Sequence, residues 1–134
     1  MKRDLEIFER PGELAQALAT VFVDSACSAI ARRGAFRVAL AGGTTPKAAY
    51  QLLAAPPRRN AVSWKDVFIY FGDERCVPPT DPQSNYRLAN EAFLAAVRIP
   101  LDNIHRMHGE DEPRDAAAAY AKVLIAGMGE LPKF

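Results

Sequence analysis

With 134 residues, the chain is long enough to form one domain with a substantial core and too short for two ordinary domains. A hydrophobic content of 49%, a charged content of 25% and a formal net charge of +1 are typical of a soluble globular protein, and they argue against a strongly basic nucleic-acid-binding or membrane-surface protein. Charges interrupt the apolar runs short of a membrane-spanning length, and residues 1–4 lead into no signal-like segment. We therefore expect a cytoplasmic protein.

The first third of the chain predicts a short strand followed by a long helix. Residues 5–8 alternate as a strand would, and Pro11 and Gly12 then form a turn into a helix over residues 13–33. Gly34 is placed to end that helix as a C-cap. The apolar residues at helical spacing predict the buried stripe, which consists of Leu14, Leu18, Val21, Phe22 and Ile30.

Residues 36–47 predict a strand, a glycine turn and the start of a helix. Gly42 and Gly43 permit backbone angles that a side chain forbids, and Thr45 and Pro46 suit the N-cap and the first helical position. A helix N-terminus behind a glycine turn presents free N–H groups to an anion, and the hydroxyl of Thr44 can add a donor. The motif is either a phosphate-binding loop or a plain tight connection. Its spacing is neither that of a dinucleotide nor that of a nucleoside triphosphate loop, which favours a small phosphorylated molecule.

The middle of the chain predicts a central strand. The helix that begins at Pro46 stops before Pro56, and residues 58–60 are expected to be a solvated connector. Residues 67–71 are apolar on both faces, as in a parallel sheet that helices cover on each side. We therefore predict an α/β fold, a Rossmann-like open parallel sheet with helices on both faces.

Charged residues follow this strand directly. Because the carboxyl ends of parallel strands share one edge, residues 72–79 are expected at the same edge as Gly42. Asp73 could act as a base or orient a sugar hydroxyl, and Arg75 could bind an anion or stabilise an oxyanion. Alternatively, Asp73, Glu74 and Arg75 pair with one another at the surface.

The remaining segments predict two helices and a short strand. Asp81 or Ser84 caps a helix that turns Leu88, Phe93, Leu94 and Val97 to the core; residues 103–107 suit a strand and residues 113–128 a helix. His105 and His108 have no thiolate partners nearby, so we predict no zinc site. Cys27 and Cys76 are expected to be reduced.

Two blocks together resemble a known family. They are Leu-Ala-Gly-Gly-Thr-Thr-Pro-Lys at residues 40–47 and Phe-Gly-Asp-Glu-Arg-Cys-Val-Pro at residues 71–78, followed by Ser84 and Asn85. The sequence resembles the 6-phosphogluconolactonases of the pentose phosphate pathway, within a superfamily that includes the glucosamine-6-phosphate deaminases. At this position the deaminases have a motif that looks more like Asp-Glu-Tyr, whereas this chain has Asp-Glu-Arg, so Arg75 favours the lactonases.

The resemblance implies roles for these residues. Gly42, Gly43, Thr44 and Thr45 would hold the sugar phosphate, and Asp73 and Arg75 would face the lactone. A cation near the carbonyl would stabilise the tetrahedral intermediate as water attacks, with no metal or organic cofactor.

At one place the sequence departs from the pattern of the family that it resembles. In the family, a glycine-rich segment with a catalytic histidine follows a Leu-Pro-x-Phe stretch such as residues 131–134, where this chain stops. Neither His105 nor His108 belongs to that motif. We therefore expect an N-terminal portion of a longer lactonase, or a truncated gene product, that binds sugar phosphate weakly and hydrolyses little by itself. Its unpaired sheet edge is expected to promote dimerisation or aggregation. The alternatives are a deaminase or isomerase, a non-catalytic sugar-phosphate-binding domain, or a purely structural domain.

Overall fold

The structure is a computed structural model that describes residues 5–130. Expectations for residues 1–4 and 131–134 fall outside these residues. The helices and strands follow one another in the order α1 (Pro11–Arg33), β1 (Phe36–Leu40), α2 (Thr44–Leu53), α3 (Arg58–Ala61), β2 (Val67–Phe71), α4 (Asn85–Ala89) and α5 (Pro113–Met128). Helix α4 continues as a π-helical turn over Asn90–Leu94, and 3-10 turns occur at Trp64–Asp66 and Leu101–Asn103.

The strands β1 and β2 pair in parallel. Phe36 lies opposite Val67, and Leu40 lies opposite Phe71. On the other side of β2, Ile69 forms an isolated parallel bridge with Ile104. Within residues 5–130, β2 therefore has chain on both sides, which confirms that it is central, whereas β1 is paired on one side only.

The predicted strand over residues 103–107 is wrong. A 3-10 turn occupies Leu101–Asn103, and only Ile104 and His105 reach β2, where the His105 N–H donates to the Ile69 carbonyl at 2.8 Å. The chain then turns back on itself through a hydrogen bond from the Gly109 N–H to the Met107 carbonyl. The strand is cut short because this turn removes the next residues from the sheet.

Helices lie on both faces of the sheet, in agreement with the predicted fold class. One face packs against α1, α2 and the π-helical turn, and the rings of Phe22, Tyr50, Trp64 and Phe93 contact one another in this core, with 5.1 to 6.3 Å between the centroids of the contacting pairs. On the other face, α5 approaches Tyr70 so closely at Gly127 that an added Cβ would lie 2.4 Å from the Tyr70 hydroxyl.

The predicted buried stripe of α1 is wrong. The residues that α1 buries are alanines, Ala15, Ala19, Ala26 and Ala29, whereas Leu14, Leu18 and Val21 are 38 to 60% exposed. Phe22 and Ile30 are partly buried against the core. Small side chains on the inner side let the helix lie close to its neighbours.

The ends of α1 agree with the sequence. The helix begins two residues before the predicted start, with proline in its first turn, and Gly34 at φ 74° closes it by donating its N–H to the Ile30 carbonyl. By length and composition alone, α1 could cross a membrane, contrary to our expectation that no stretch reaches that length. A core helix of a soluble protein and a signal sequence meet the same criterion, and 22% of this apolar stretch is buried within the domain.

Three local predictions need correction. Residues 5–8 form no strand, and Leu5 and Ile7 are 84 and 85% exposed because no strand of the described chain lies beside them. Gly43, not Thr45, is the N-cap of α2, because the helix already starts at Thr44. The expected connector at residues 58–60 is a one-turn helix, α3.

The hydroxyl of Tyr120 ties α5 to the sheet. It accepts a hydrogen bond from the Phe71 N–H at 2.8 Å and lies 3.1 Å from the His105 carbonyl, to which it can donate. Burial raises the pKa of Tyr120 to about 12, so the hydroxyl keeps its proton in neutral solution. Tyr120 thus joins the end of β2 to the segment at Ile104.

We expect Tyr120→Phe to lower the free energy of unfolding by about 1 to 3 kcal/mol, because the Phe71 N–H loses its acceptor in a buried place. Urea denaturation measures this loss. Tyr86→Phe is the control, since the Tyr86 ring contacts Phe71 but its hydroxyl has no hydrogen bond within residues 5–130. Equal losses in the two variants would contradict the role given to the Tyr120 hydroxyl.

An ion pair closes the turn after Ile104. The Arg106 guanidinium donates to both carboxylate oxygens of Glu110, at 2.9 and 2.7 Å, and stacks over the Tyr86 ring. Chiefly through these hydrogen bonds, Arg106 lowers the pKa of Glu110 from 4.5 to about 2. A lowered pKa in the folded state stabilises the protein above the ordinary pKa, and this contribution is lost as the pH falls toward about 2.

We therefore expect Arg106→Gln to raise the pKa of Glu110 toward its ordinary value, as measured by NMR titration of its carboxyl carbon. The variant should also lose less stability than the wild type between about pH 4.5 and about pH 2. Arg98→Gln is the control, because Arg98 is exposed and forms no ion pair within the described chain. An unchanged Glu110 titration in Arg106→Gln would show that another group sets this pKa.

Candidate functional site

Two loops meet at the carboxyl-end edge of the sheet. Leu40 and Phe71 are opposite each other at the ends of β1 and β2, and the Gly72 N–H donates to the Leu40 carbonyl at 3.0 Å. Residues 41–45 and 72–79 therefore leave the sheet side by side. The predicted placement of the two loops at one edge is confirmed.

The first loop has the geometry of an anion cradle. Gly43 has φ 105° and ψ 171°, a backbone conformation that is unfavourable for residues with a side chain. It is the N-cap of the ten-residue helix α2. No side chain caps this helix, and both Thr44 and Thr45 are exposed, so its first N–H groups and two hydroxyls are available to an anion.

Tyr50 fixes the start of this loop, which sequence reasoning missed. Its hydroxyl donates to the Ala41 carbonyl at 2.8 Å and accepts from the Ala41 N–H at 3.0 Å. Burial raises the pKa of Tyr50, and the hydrogen bond that its oxygen accepts from the Ala41 N–H opposes that shift. Tyrosine six residues into the helix is a weak sequence signal, because a core role explains it equally well.

The Glu74 carboxylate organises the second loop. It accepts four hydrogen bonds, from the N–H groups of Arg75, Asn85 and Tyr86 and from the Ser84 hydroxyl, at 2.7 to 3.0 Å. Ser84 is itself the N-cap of α4 and accepts from the Arg87 N–H, as predicted. A negative charge at a helix N-terminus is favourable, so Glu74 ties its loop to α4.

Asn85 connects the two loops. It is 5% exposed, and its side-chain N–H groups lie 3.1 Å from a carboxylate oxygen of Asp73 and 3.2 Å from the Asp73 carbonyl. Its side-chain oxygen lies so close to Gly42 that a Cβ added there would be only 2.0 Å from it. Gly42 is therefore required by this close approach, and Asp73 is held beside the first loop.

Arg75 is placed differently. It is exposed and lines a cavity of about 300 Å³ between its own loop, His108 and α5. Its carbonyl lies so close to Gly109 that an added Cβ there would be 2.1 Å away. Within residues 5–130, no hydrogen bond joins the Arg75 side chain to residues 42–45.

The alternative that the three charged side chains pair with one another is not supported. Glu74 accepts from the backbone of Arg75, and no ion pair among residues 5–130 joins the side chains of Asp73, Glu74 and Arg75. Cys76 and Cys27 are both exposed and form no disulfide within residues 5–130.

The two histidines differ in their surroundings. His105 stacks on Tyr70 with ring centroids 4.7 Å apart, and burial lowers the pKa of His105. His108 is exposed near Glu110 and Asp111, with 3.6 Å between its ring nitrogen and the Asp111 carboxylate. Neither histidine contacts residues 42–45 or 72–75 through a hydrogen bond of the described chain.

Comparisons with known proteins identify the family of this chain. The profile of the family glucosamine-6-phosphate isomerases/6-phosphogluconolactonase matches residues 9–134. A 6-phosphogluconolactonase of Haemophilus influenzae is 42% identical over 89 residues, which are 66% of this chain and 38% of that protein. A 6-phosphogluconolactonase of Nostoc is 34% identical over 133 residues, which are 98% of this chain and 54% of that protein.

A solved structure shows the same fold. The 6-phosphogluconolactonase of Trypanosoma brucei superposes with a TM-score of 0.83 at 28% identity, over 95% of this chain and 51% of that one. The chain thus spans about half the length of the relatives that it matches, or less. The family match over nearly all residues, together with the two joined loops, shows that this chain belongs to the glucosamine-6-phosphate isomerase/6-phosphogluconolactonase family.

Proposed function

We propose that this chain is part of a 6-phosphogluconolactonase, which hydrolyses 6-phosphogluconolactone to 6-phosphogluconate in the pentose phosphate pathway. Membership of the family and the lactonase relatives support this proposal. The observation that carries it is the junction at Asn85, which holds the Asp73 carboxylate beside the glycine loop. A phosphate and a sugar ring would need both groups within one molecule's length.

The glycine loop is the proposed phosphate site. The N–H groups at the start of α2, behind Gly42 and Gly43, would donate to phosphate oxygens, and the Thr44 and Thr45 hydroxyls would add donors. A phosphate anchored there fixes the position of the lactone ring. Fixing one reactant removes part of the entropy cost of the water attack.

Asp73 and Arg75 are the proposed groups at the lactone. The Asp73 carboxylate would orient a ring hydroxyl or the attacking water, and Arg75 would have to turn from its exposed position toward the developing oxyanion. The general base implied by the resemblance is a histidine of another segment, and His105 and His108 do not belong to that motif. We therefore propose that the 134 residues alone bind sugar phosphate weakly and hydrolyse little.

Two rivals and a location complete the proposal. A glucosamine-6-phosphate isomerase or deaminase belongs to the same family, and a non-catalytic sugar-phosphate-binding domain would need the glycine loop alone. Arg75 in place of the tyrosine of the deaminases favours the lactonase.

We propose a cytoplasmic location with no cofactor, no nucleic acid and no membrane partner, consistent with the near-neutral charge.

Binding of a stable product tests the function. We expect NMR titration with 6-phosphogluconate to shift the amides of residues 42–45 and 72–75 of this chain, and glucosamine-6-phosphate to bind more weakly. Arg75→Ala should weaken the binding of 6-phosphogluconate by about tenfold, because a charge-assisted contact to an anion is lost. Lactone hydrolysis should barely exceed the spontaneous rate.

The matched control is Arg32→Ala, an exposed arginine in the last turn of α1, at the opposite end of β1 from the glycine loop. It should leave the affinity unchanged. Preference for glucosamine-6-phosphate would favour the isomerase, and full affinity in Arg75→Ala would favour the binding domain. Strong lactone hydrolysis would contradict the need for a further segment.

We also propose that the isolated chain forms dimers through the free side of β1. That side opens onto an apolar groove of about 550 Å³ between α1 and α2, and Leu18 and Val21 line it while 40 and 60% exposed. A second copy would cover both the strand edge and these side chains. Light scattering should show a dimer that Val21→Lys dissociates and that Leu101→Lys, exposed elsewhere, does not. A monodisperse wild-type monomer would contradict this proposal.

A further inference from the structure

We propose that Asn85 is a positioning residue that couples the glycine loop to Asp73, so that both move as one unit. Asn85 itself need not touch the ligand. This inference rests on the proposed function, because it concerns how the phosphate end and the sugar end of that site keep their distance. It assigns Asn85 a role in ligand discrimination besides its role in folding.

The two ends of the Asn85 amide have different neighbours. The nitrogen donates to the Asp73 side chain at 3.1 Å and to the Asp73 carbonyl at 3.2 Å, so it fixes both the carboxylate and its backbone. The oxygen and the amide carbon lie 2.0 and 2.6 Å from the point where a Gly42 Cβ would be. One small group thus contacts both loops, and a displacement of either loop displaces the amide.

The amide cannot readily turn away from this position. The backbone N–H of Asn85 donates to the Glu74 carboxylate at 2.7 Å, and the neighbouring Ser84 hydroxyl donates to the same carboxylate at 3.0 Å. Asn85 is also the first residue of α4, behind a serine cap. Its backbone is therefore fixed on one side by Glu74 and on the other by the helix, which leaves its side chain little freedom in a 5% exposed site.

Three close substitutes lack these properties. Aspartate has the shape of asparagine, but it cannot donate to Asp73 and would set a second carboxylate against it. Serine and alanine are too short to reach both Asp73 and Gly42. The pairing of asparagine with glycine is thus matched in size and in hydrogen bonding.

The inference predicts a change in the preference between two ligands. Inorganic phosphate needs the glycine loop only, whereas 6-phosphogluconate also needs Asp73. Asn85→Asp and Asn85→Ser should therefore lower the ratio of the affinity for 6-phosphogluconate to the affinity for inorganic phosphate by about tenfold, since two hydrogen bonds to Asp73 are lost. A purely structural role would weaken both ligands equally and leave the ratio unchanged.

Asn103 offers a matched control. Its side chain also donates to two carbonyls, those of Lys65 and Val67 at 3.1 and 3.2 Å, but at the opposite end of β2. Asn103→Asp and Asn103→Ser should lower the melting temperature without changing the affinity ratio. An equal change of the ratio in the Asn103 and Asn85 variants would overturn the inference.

Two further measurements need no ligand. Amide hydrogen exchange should accelerate in both residues 42–45 and 72–75 of Asn85→Asp, and in neither segment of Asn103→Asp. Gly42→Ala should destabilise the wild type more than it destabilises Asn85→Ser, because the overlapping amide is then gone. Acceleration in one loop only, or equal losses from Gly42→Ala in both backgrounds, would overturn the coupling. If wild type binds neither ligand, the proposed function fails, and these two measurements still decide the coupling.

Discussion

The parallel pairing of β1 with β2 is the constraint on which the site depends. Because Leu40 and Phe71 end the two strands opposite each other, the glycine loop and the Asp73 loop must begin a few ångströms apart. The Gly72 N–H extends the pairing by one more hydrogen bond to the Leu40 carbonyl. A slip of one strand by one residue would displace the loops relative to each other and turn the buried residues of that strand to the opposite face of the sheet. The hydrophobic core, which contains Phe36, Leu40, Val67 and Phe71, therefore also sets the distance across the site.

Glu74 converts this proximity into a defined arrangement. Its carboxylate accepts from the backbone N–H groups of Asn85 and Tyr86 at the start of α4, which the helix would otherwise leave free. The same carboxylate holds the Arg75 N–H, so the loop and the helix are fixed to each other at one point. Asp73, the residue before Glu74, is then left with its side chain free to meet Asn85 and solvent. Neighbouring acids in the sequence thus have separate tasks, one structural and one available for chemistry.

The sequence predicted several local features correctly, although it misplaced the N-cap of α2 by two residues, and it predicted less well the features that depend on distant contacts. Both strands were predicted because apolar runs between glycine and charged residues have few alternatives, and Gly34 and Ser84 were predicted because caps act on their own helix. The part played by Asn85 could not be predicted, because its contact with Gly42 spans more than forty residues and depends on sheet register. The Ser84 and Asn85 pair was visible as part of a family motif, but its position behind the Glu74 loop required the structure. The roles of Gly42, Gly43, Thr44, Thr45, Asp73 and Arg75 in binding and catalysis stay predictions.

The misassigned stripe of α1 has a physical explanation that bears on the free side of β1. Two sets of residues fit helical spacing in α1, one of leucine and valine and one of alanine, and hydrophobicity alone favours the larger side chains. The fold buries the alanines, and these small side chains let α1 lie close to β1 and α2. The larger side chains then point outward beside the one strand that lacks a second partner among residues 5–130. A strand edge and an apolar helix surface that lie together bury more area jointly than either would alone, so a single neighbouring element with one apolar face would satisfy both.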